Sequence, residues 1–259
     1  MSSAAINLVL AYIIALTCGL GSIKLWRTGL YRKYPALLCV LVFFFIAQIL
    51  AVSLRHESSI FVNRVWFVQQ PVSWLLSVWV VLELYSLILE KYKGLATLGR
   101  WVQYAGFAIS TFVSLIAMLP QIRQGVGPRL TIVKYYYSVE RGVDCGMLVF
   151  LIVIFAWLSR YPVPLSRNVL VHCSAYAILF FSNSVGVFAQ LIFGWNVTGP
   201  MDRVLTGVFA CCTLAWLTLL TPKGEEVRVT VPNFSPEEER RILNQLEALN
   251  QTLLHISRK

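Results

Sequence analysis

The sequence predicts an all-α membrane protein: a polytopic bundle of seven transmembrane helices with a short C-terminal cytoplasmic amphipathic helix. Two observations lead to this prediction. First, 58% of the 259 residues are hydrophobic and only 13% are charged, whereas an ordinary soluble domain has roughly 45–50% apolar and about 25% charged residues. Second, the apolar residues form seven runs, each close to the roughly 20 residues that cross a bilayer as a helix. This composition excludes a soluble enzyme.

The predicted spans are apolar runs bounded by charged or turn-forming residues. In order they are 4–23, 35–54, 65–89, 101–119, 135–158, 168–194 and 204–220. The first run has no basic region before it and no small-residue cleavage pattern before Lys24, so we interpret it as a retained span and not as a signal peptide.

The basic residues predict the orientation of the bundle. Of the 22 Lys and Arg residues, 15 fall on the side that holds the C-terminal tail, six fall on the other side, and Arg141 lies within a span. The positive-inside rule therefore predicts that the N-terminus is outside and that the tail is cytoplasmic. Aromatic residues near the predicted inner ends, among them Trp26, Tyr31 and Trp216, are interpreted as interfacial anchors.

The net charge of +10 follows largely from this sidedness, so no nucleic-acid partner is predicted. The lipid bilayer is the predicted partner. All six cysteines lie inside apolar runs without a CxxC pair, which is typical of small packing residues. Because the three histidines are scattered, neither a metal nor a cofactor is predicted.

After Pro222 the composition changes, so we divide the chain into a membrane domain, 1–222, and a cytoplasmic tail, 223–259. Residues 226–231 alternate polar and apolar side chains and predict a brief extended stretch. Ser235, Pro236 and Glu238 then form a helix-start signal. The helix that follows carries a two-heptad apolar seam that predicts self-association, docking of a partner, or packing on the bundle. The seam residues are Ile242, Leu246, Leu249, Leu253 and Ile256.

Polar residues in the outer half of the predicted bundle suggest a vestibule open to the outside. Glu140 and Asp144 share one face of the fifth span, and Arg141 can pair with Asp144 along it. Such a group suits a cationic or zwitterionic ligand, or forms a self-neutralising structural cluster. The candidate vestibule residues are Gln69, Gln70, Glu140, Arg141, Asp144 and Gln190.

A second group of polar residues predicts an interior path. His172, Tyr176 and Asn183 fall on one stripe of the sixth span, and Glu83 is the carboxylate placed deepest in a span. Lipid cannot satisfy these groups, so they face the bundle interior. Interhelical hydrogen bonding and a polar pathway both fit this stripe.

Three segments carry a resemblance to a known group. The segments WRTGLYRKYP (26–35), PVSWLLSVWVVLELY (71–85) and GLATLGRW (94–101) are similar to an uncharacterised group of bacterial seven-helix integral membrane proteins. The resemblance implies a location in the cell (inner) membrane and brings no activity with it.

Three functions fit the sequence. The first is a receptor-like or scaffolding protein that couples the outer vestibule to the tail. The second is a small-solute or proton-coupled carrier that uses Glu83, His172 and Asn183. The third is an intramembrane enzyme acting on a lipid or isoprenoid through a buried carboxylate, so the sequence leaves enzymatic activity undecided.

Overall fold

The computed structural model of the protein describes most of the chain before 90 and between 165 and 229. The described residues are 3–54, 59–89, 104–106, 108–109, 112, 139–140, 142–149, 151–152, 165–193, 197–226, 228–229, 240–241, 244–245, 247–248 and 251. Much of the predicted fourth and fifth spans, Arg141, Ser235 and the five seam residues of the tail lie outside this set.

Long helices account for most of the described chain. They are α1 (Ser3–Arg27), α2 (Pro35–Ser53), α3 (Ser59–Ile88), α4 (Arg167–Phe193) and α5 (Thr198–Leu219). Each of the five contains a stretch long and apolar enough to cross a membrane. The described residues between 139 and 152 are also helical. The structure therefore confirms the helical fold class, and its five long apolar helices fit a multi-pass membrane protein.

Two helices begin earlier than the hydropathy pattern predicts. Helix α3 begins at Ser59 instead of 65, and α5 begins at Thr198 instead of 204. The reason is that backbone hydrogen bonding continues past the edge of the apolar run, and long polar side chains such as Arg64 can extend towards the interface from there.

The five long helices form a closed ring. Helix α1 packs against α2 and α5, α3 packs against α2 and α4, and α4 packs against α5. The side chains that point into the ring are buried and mostly apolar, for example Ile14, Leu41 and Leu84. On the outside, large apolar side chains such as Leu16 and Val68 are exposed, as expected for helices that face lipid and not water.

Several connecting segments lie at one end of the ring, which we call the tail face. It holds the α1–α2 turn (28–34), the short helix α6 (Lys223–Glu226) and a two-stranded antiparallel pair, β1 (Leu165–Ser166) with β2 (Arg228–Val229). The pair places Leu165 opposite Val229 and Ser166 opposite Arg228. The predicted extended stretch is thus present at Arg228–Val229, whereas Glu226 belongs to α6. We call the other end of the ring the opposite face.

The α1–α2 turn depends on one glycine. Gly29 has a φ of +74°, a left-handed conformation that side chains with a Cβ atom adopt at a cost of about 1–2 kcal/mol. A single 3₁₀ turn, Leu30–Arg32, follows and brings Tyr34 to the start of α2. Pro35 occupies the first turn of α2, where its missing N–H leaves no helical hydrogen bond unmade.

Candidate functional site

Polar and aromatic side chains from four parts of the chain meet inside the ring near the tail face. We call this group the interior cluster: Tyr34 from the α1–α2 turn, Glu83 from α3, His172 and Tyr176 from α4, and Trp216 from α5. His172 and Tyr176 are four residues apart, so both point into the ring from one face of α4. The imidazole of His172 has no solvent exposure.

Aromatic rings surround the imidazole of His172. Its centroid lies 5.5 Å from that of Tyr34, 5.1 Å from that of Tyr176 and 5.8 Å from that of Trp216, each in an edge-on arrangement. Tyr176 and Trp216 also contact each other, with centroids 4.9 Å apart. Edge-on pairs of this kind are favourable because ring edges are positive and ring faces negative.

One carboxylate oxygen of Glu83 caps a neighbouring helix. Oε2 accepts a hydrogen bond of 2.7 Å from the backbone N–H of Ala36, in the first turn of α2. The residue before α2, Tyr34, makes no side-chain capping bond of its own. Since the first N–H groups of a helix have no partner within it, a carboxylate placed there satisfies them and interacts favourably with the helix dipole.

The other carboxylate oxygen of Glu83 faces His172. Oε1 lies 4.0 Å from Nε2 of His172, which is too long for a hydrogen bond. Among the residues that the structure describes, five buried polar atoms of the cluster have no hydrogen-bond partner: Oε1 of Glu83, Nδ1 and Nε2 of His172, the hydroxyl of Tyr176 and Nε1 of Trp216. A buried polar group without a partner costs about 1–3 kcal/mol. A small polar molecule or a proton bound in this cluster would remove part of that cost.

A second group of side chains ties the chain after α5 to the bundle. Both carboxylate oxygens of Glu225, in α6, accept hydrogen bonds: one from Lys33, and the other from the hydroxyl of Tyr34 and from Nδ2 of Asn168 at 2.7 Å. We call Lys33, Tyr34, Asn168 and Glu225 the Glu225 latch. Burial alone would raise the pKa of Glu225, but the hydrogen bonds from Lys33, Tyr34 and Asn168 lower it below its ordinary value.

Asn168 is the structural centre of the latch. Its Nδ2 also donates to the carbonyl of Thr221 at 2.7 Å, and its Oδ1 accepts from the N–H of Thr221 at 3.3 Å. Gly224 packs so closely that a Cβ atom there would lie 2.2 Å from Oδ1 of Asn168. A glycine is therefore required at this position for the latch to close.

Tyr34 belongs to both groups. Its ring contacts the imidazole of His172, and its hydroxyl donates to Glu225. Burial, followed by the hydrogen bond to Glu225, raises the pKa of Tyr34, so the hydroxyl stays protonated and remains a donor. A continuous chain of contacts thus runs from Glu83 and His172 in the interior to α6, where the tail begins.

The vestibule residues predicted from sequence are only partly brought together. Nε2 of Gln70 donates to Glu140 at 3.0 Å, and Asp144 accepts a hydrogen bond from Asn183. Asp202 lies close enough to Glu140 for the two charges to interact. These five residues, from α3, the 139–152 region, α4 and α5, form what we call the carboxylate cluster, in the half of the bundle towards the opposite face.

Several predicted residues are placed differently. Asn183, predicted for the interior path, bonds Asp144 in the carboxylate cluster, while Phe180 stacks on Tyr176 between the two clusters. Gln69 lines a groove between α2 and α3. Arg141 and the side chain of Gln190 lie outside the described residues.

The interpretation of Trp216 as an interfacial anchor is wrong. Its side chain is 2% exposed and belongs to the interior cluster, because the inward-facing side of α5 near the tail face is already closed by α1 and α4. By contrast, Trp26 is exposed and stacks on Tyr31 with centroids 4.7 Å apart, as an anchor would.

Sequence reasoning missed Lys33, Tyr34, Asn168 and Glu225 as candidate residues. The one local signal was the start of α2, where Pro35 follows a tyrosine and no residue with a good capping side chain precedes the helix. That gap indicates a cap from elsewhere in the fold.

Comparisons with known proteins found no match to this chain. No family model, no curated protein and no solved structure matches the chain. Within the described part of the chain, no group of three or more His, Cys, Asp or Glu residues is arranged to hold a metal ion. The fold is helical, with five helices long and apolar enough to cross a membrane, which fits a multi-pass membrane protein.

Proposed function

We propose that the protein is a receptor-like membrane protein whose bundle controls the arrangement of its C-terminal tail. The observation that supports this proposal is the contact chain from Glu83 and His172 through Tyr34 to Glu225. Allosteric coupling needs an element with two arrangements whose balance both sites can shift. In this proposal the Glu225 latch, closed as in the structure or open, is that element.

The proposal includes seven spans. Helix α3 ends at the tail face, where Glu83 caps α2, and α4 begins there beside Glu225. Between them, Glu140 contacts Gln70, which lies about 20 Å further along α3 towards the opposite face, at 1.5 Å per residue. Between α3 and α4 the chain therefore runs from the tail face towards the opposite face and back. This path fits two further crossings, which we place at the predicted spans 101–119 and 135–158.

The proposal also places the tail face in the cytoplasm of a bacterial cell with the N-terminus outside. Lys24, Arg27, Arg32 and Lys33 all belong to α1 or the turn after it, in agreement with the positive-inside rule. With this orientation the carboxylate cluster lies in the outer half of the bundle. In this proposal a cationic or zwitterionic ligand binds from outside, since the carboxylates of Glu140, Asp144 and Asp202 favour positive charge.

In this proposal the tail beyond Val229 is the part of the protein that responds to ligand binding. The seam that begins at Ile242 is then the surface for self-association or for docking a partner protein. Opening the latch would free α6 and the β1–β2 pair and change where that surface lies. Scaffolding is the simplest form of this function, with a latch that stays closed.

The coupling can be measured by hydrogen–deuterium exchange of the full chain in nanodiscs. Glu225→Gln removes the ion pair with Lys33, so exchange of the N–H groups of 220–226 should rise about tenfold, as expected for the loss of one charge-assisted hydrogen bond. His172→Phe changes only the interior cluster, and we expect a rise in the same segment. His172→Gln is the second variant if the phenylalanine protein does not fold.

A neighbouring residue provides the matched control. Glu226 is exposed and adjacent, so Glu226→Gln removes the same charge without touching the latch and should leave exchange of 220–226 unchanged. If the His172 variants leave this segment as protected as in the wild type while Glu225→Gln does not, the latch exists but is not coupled to the interior, and the receptor-like proposal fails.

A second candidate function is a proton-coupled carrier, favoured by the 4.0 Å separation of Glu83 Oε1 and His172 Nε2. A shift of about 1 Å would join them by a hydrogen bond, which suits transfer of a proton inside the ring. In vesicles carrying a pH-sensitive dye, a pH gradient should then decay faster with the wild type than with Glu83→Gln. Equal decay for both proteins and for empty vesicles would remove this candidate and leave the first untouched.

A further inference from the structure

A groove runs along the lipid-facing side of the bundle between α2 and α3. It has a volume of about 410 Å³. Its walls are apolar except for two side chains of α3: Arg64, at one end, and Gln69, partway along the groove. The groove is therefore amphipathic, with one cationic side chain at one end.

The geometry of the two helices places this polar end near a membrane surface. Helices α2 and α3 run in opposite directions, so Leu50, late in α2, and Arg64, early in α3, line the end towards the opposite face. Phe43 and Val72 line the end towards the middle of the bundle. From Arg64 to Val72 the groove covers about 12 Å along α3, at 1.5 Å per residue.

The two polar side chains have no partner within the described part of the protein. Arg64 is exposed and Gln69 is half-buried, and neither makes a hydrogen bond or ion pair with another described residue. A cationic side chain at this depth is stabilised by reaching the interface and by pairing with an anion. The surrounding bilayer supplies such an anion as the phosphate of a lipid headgroup.

We propose that this groove binds an anionic phospholipid of the leaflet at the opposite face. Arg64 pairs with the headgroup phosphate, the amide of Gln69 donates to a phosphate or ester oxygen, and one acyl chain lies against Phe43 and Val72. The inference stands apart from the receptor-like proposal, because it uses none of the residues of the latch or the interior cluster.

A second groove serves as an internal comparison. It lies between α4 and α5, has a volume of about 730 Å³, and is lined by apolar residues with Ser174, Cys211 and Cys212 and no charged side chain. A groove of this kind accepts acyl chains from any phospholipid. We therefore assign headgroup preference to the groove between α2 and α3, which Arg64 lines.

Native mass spectrometry of the full chain released from micelles tests the proposal. The probes are phosphatidylglycerol and phosphatidylcholine with identical acyl chains. We expect the wild type to retain phosphatidylglycerol about fivefold more strongly, the factor for one basic side chain near anionic lipid. Arg64→Gln should abolish this preference, whereas the matched control Arg203→Gln, which removes one charge from α5 at the same face, should keep it.

A second variant tests the acyl-chain part of the groove. Val72 is 38% exposed, so Val72→Trp fills the apolar end without entering the core. It should lower retention of both lipids. The proposal is overturned if the wild type shows no headgroup preference, if Arg64→Gln keeps the preference, or if Val72→Trp changes the oligomeric state with lipid retention unaltered, which would assign the groove to a second copy of the chain.

Discussion

Replacing Glu83 by leucine is expected to lower the free energy of unfolding by about 2 kcal/mol. The change leaves the buried N–H of Ala36, at the start of α2, without its acceptor. An unpaired buried donor costs about 1–3 kcal/mol, and loss of a charge–dipole interaction adds up to about 2 kcal/mol if the carboxylate is ionised. Removal of the unpartnered Oε1 offsets part of this loss.

The comparison with Glu83→Gln isolates the capping role. Glutamine keeps the side-chain length and one acceptor oxygen, so it can still accept from Ala36 and should cost less than about 1 kcal/mol. The free energy of unfolding of both variants can be measured by titrating SDS into mixed micelles. If leucine proves as stable as glutamine, the hydrogen bond to α2 does not stabilise the fold, and Glu83 is held there for another reason.

Replacing Gly224 by alanine is expected to open the Glu225 latch and to destabilise the tail face by about 2–3 kcal/mol. The new Cβ atom would lie 2.2 Å from Oδ1 of Asn168, so the asparagine side chain must move away. It then gives up its bonds to Thr221 and Glu225. Each is worth about 0.5–1.5 kcal/mol, or more for the bond to a carboxylate.

Another glycine provides a control substitution that is expected to raise the free energy of unfolding. Gly207 lies in α5, and a Cβ atom there would meet nothing within 4 Å. Gly207→Ala should therefore stabilise the protein by about 0.5–1 kcal/mol, the usual gain of alanine over glycine in a helix. If both substitutions changed the free energy of unfolding by the same amount, the close contact between Gly224 and Asn168 would not contribute to stability.

The same latch predicts how the Gly224→Ala effect depends on pH. The pKa of Glu225 is lowered in the folded protein, so its carboxylate stabilises the fold above the ordinary glutamate value of about 4.3. That stability is lost as the pH falls through the lowered pKa. The difference between wild type and Gly224→Ala should be largest near neutral pH and should shrink below about pH 4. A difference that stays constant down to pH 3 would exclude an ionised Glu225 from the latch.

The membrane helices follow from local properties of the sequence. A run of about 20 apolar residues crosses a bilayer whatever lies elsewhere in the chain, because a helix satisfies its own backbone. Each of the five long helices therefore overlaps a predicted span, although α3 and α5 begin earlier than predicted. The stripe of His172 and Tyr176 on α4 was also predictable, since residues four apart share a face, and both side chains are buried.

The partners of these polar groups were not predictable. The Glu83 carboxylate caps α2 by accepting from Ala36, 47 residues earlier in the chain, and Lys33 pairs with a carboxylate 192 residues away. No periodicity connects positions so far apart. Composition assigned Glu225 to the tail with the other acidic residues after Pro222, whereas it bonds the bundle through Lys33, Tyr34 and Asn168.

Hydropathy along the chain is enough to predict which segments can cross a membrane, since that depends on transfer of each segment from water to lipid. The same reasoning predicts that Glu83 and His172 turn inwards, because lipid offers them no hydrogen bonds. What these side chains meet inside the bundle depends on how the helices pack. Closing the ring of α1 to α5 places one oxygen of Glu83 on α2, leaves the other facing His172, and brings Tyr34 between His172 and Glu225.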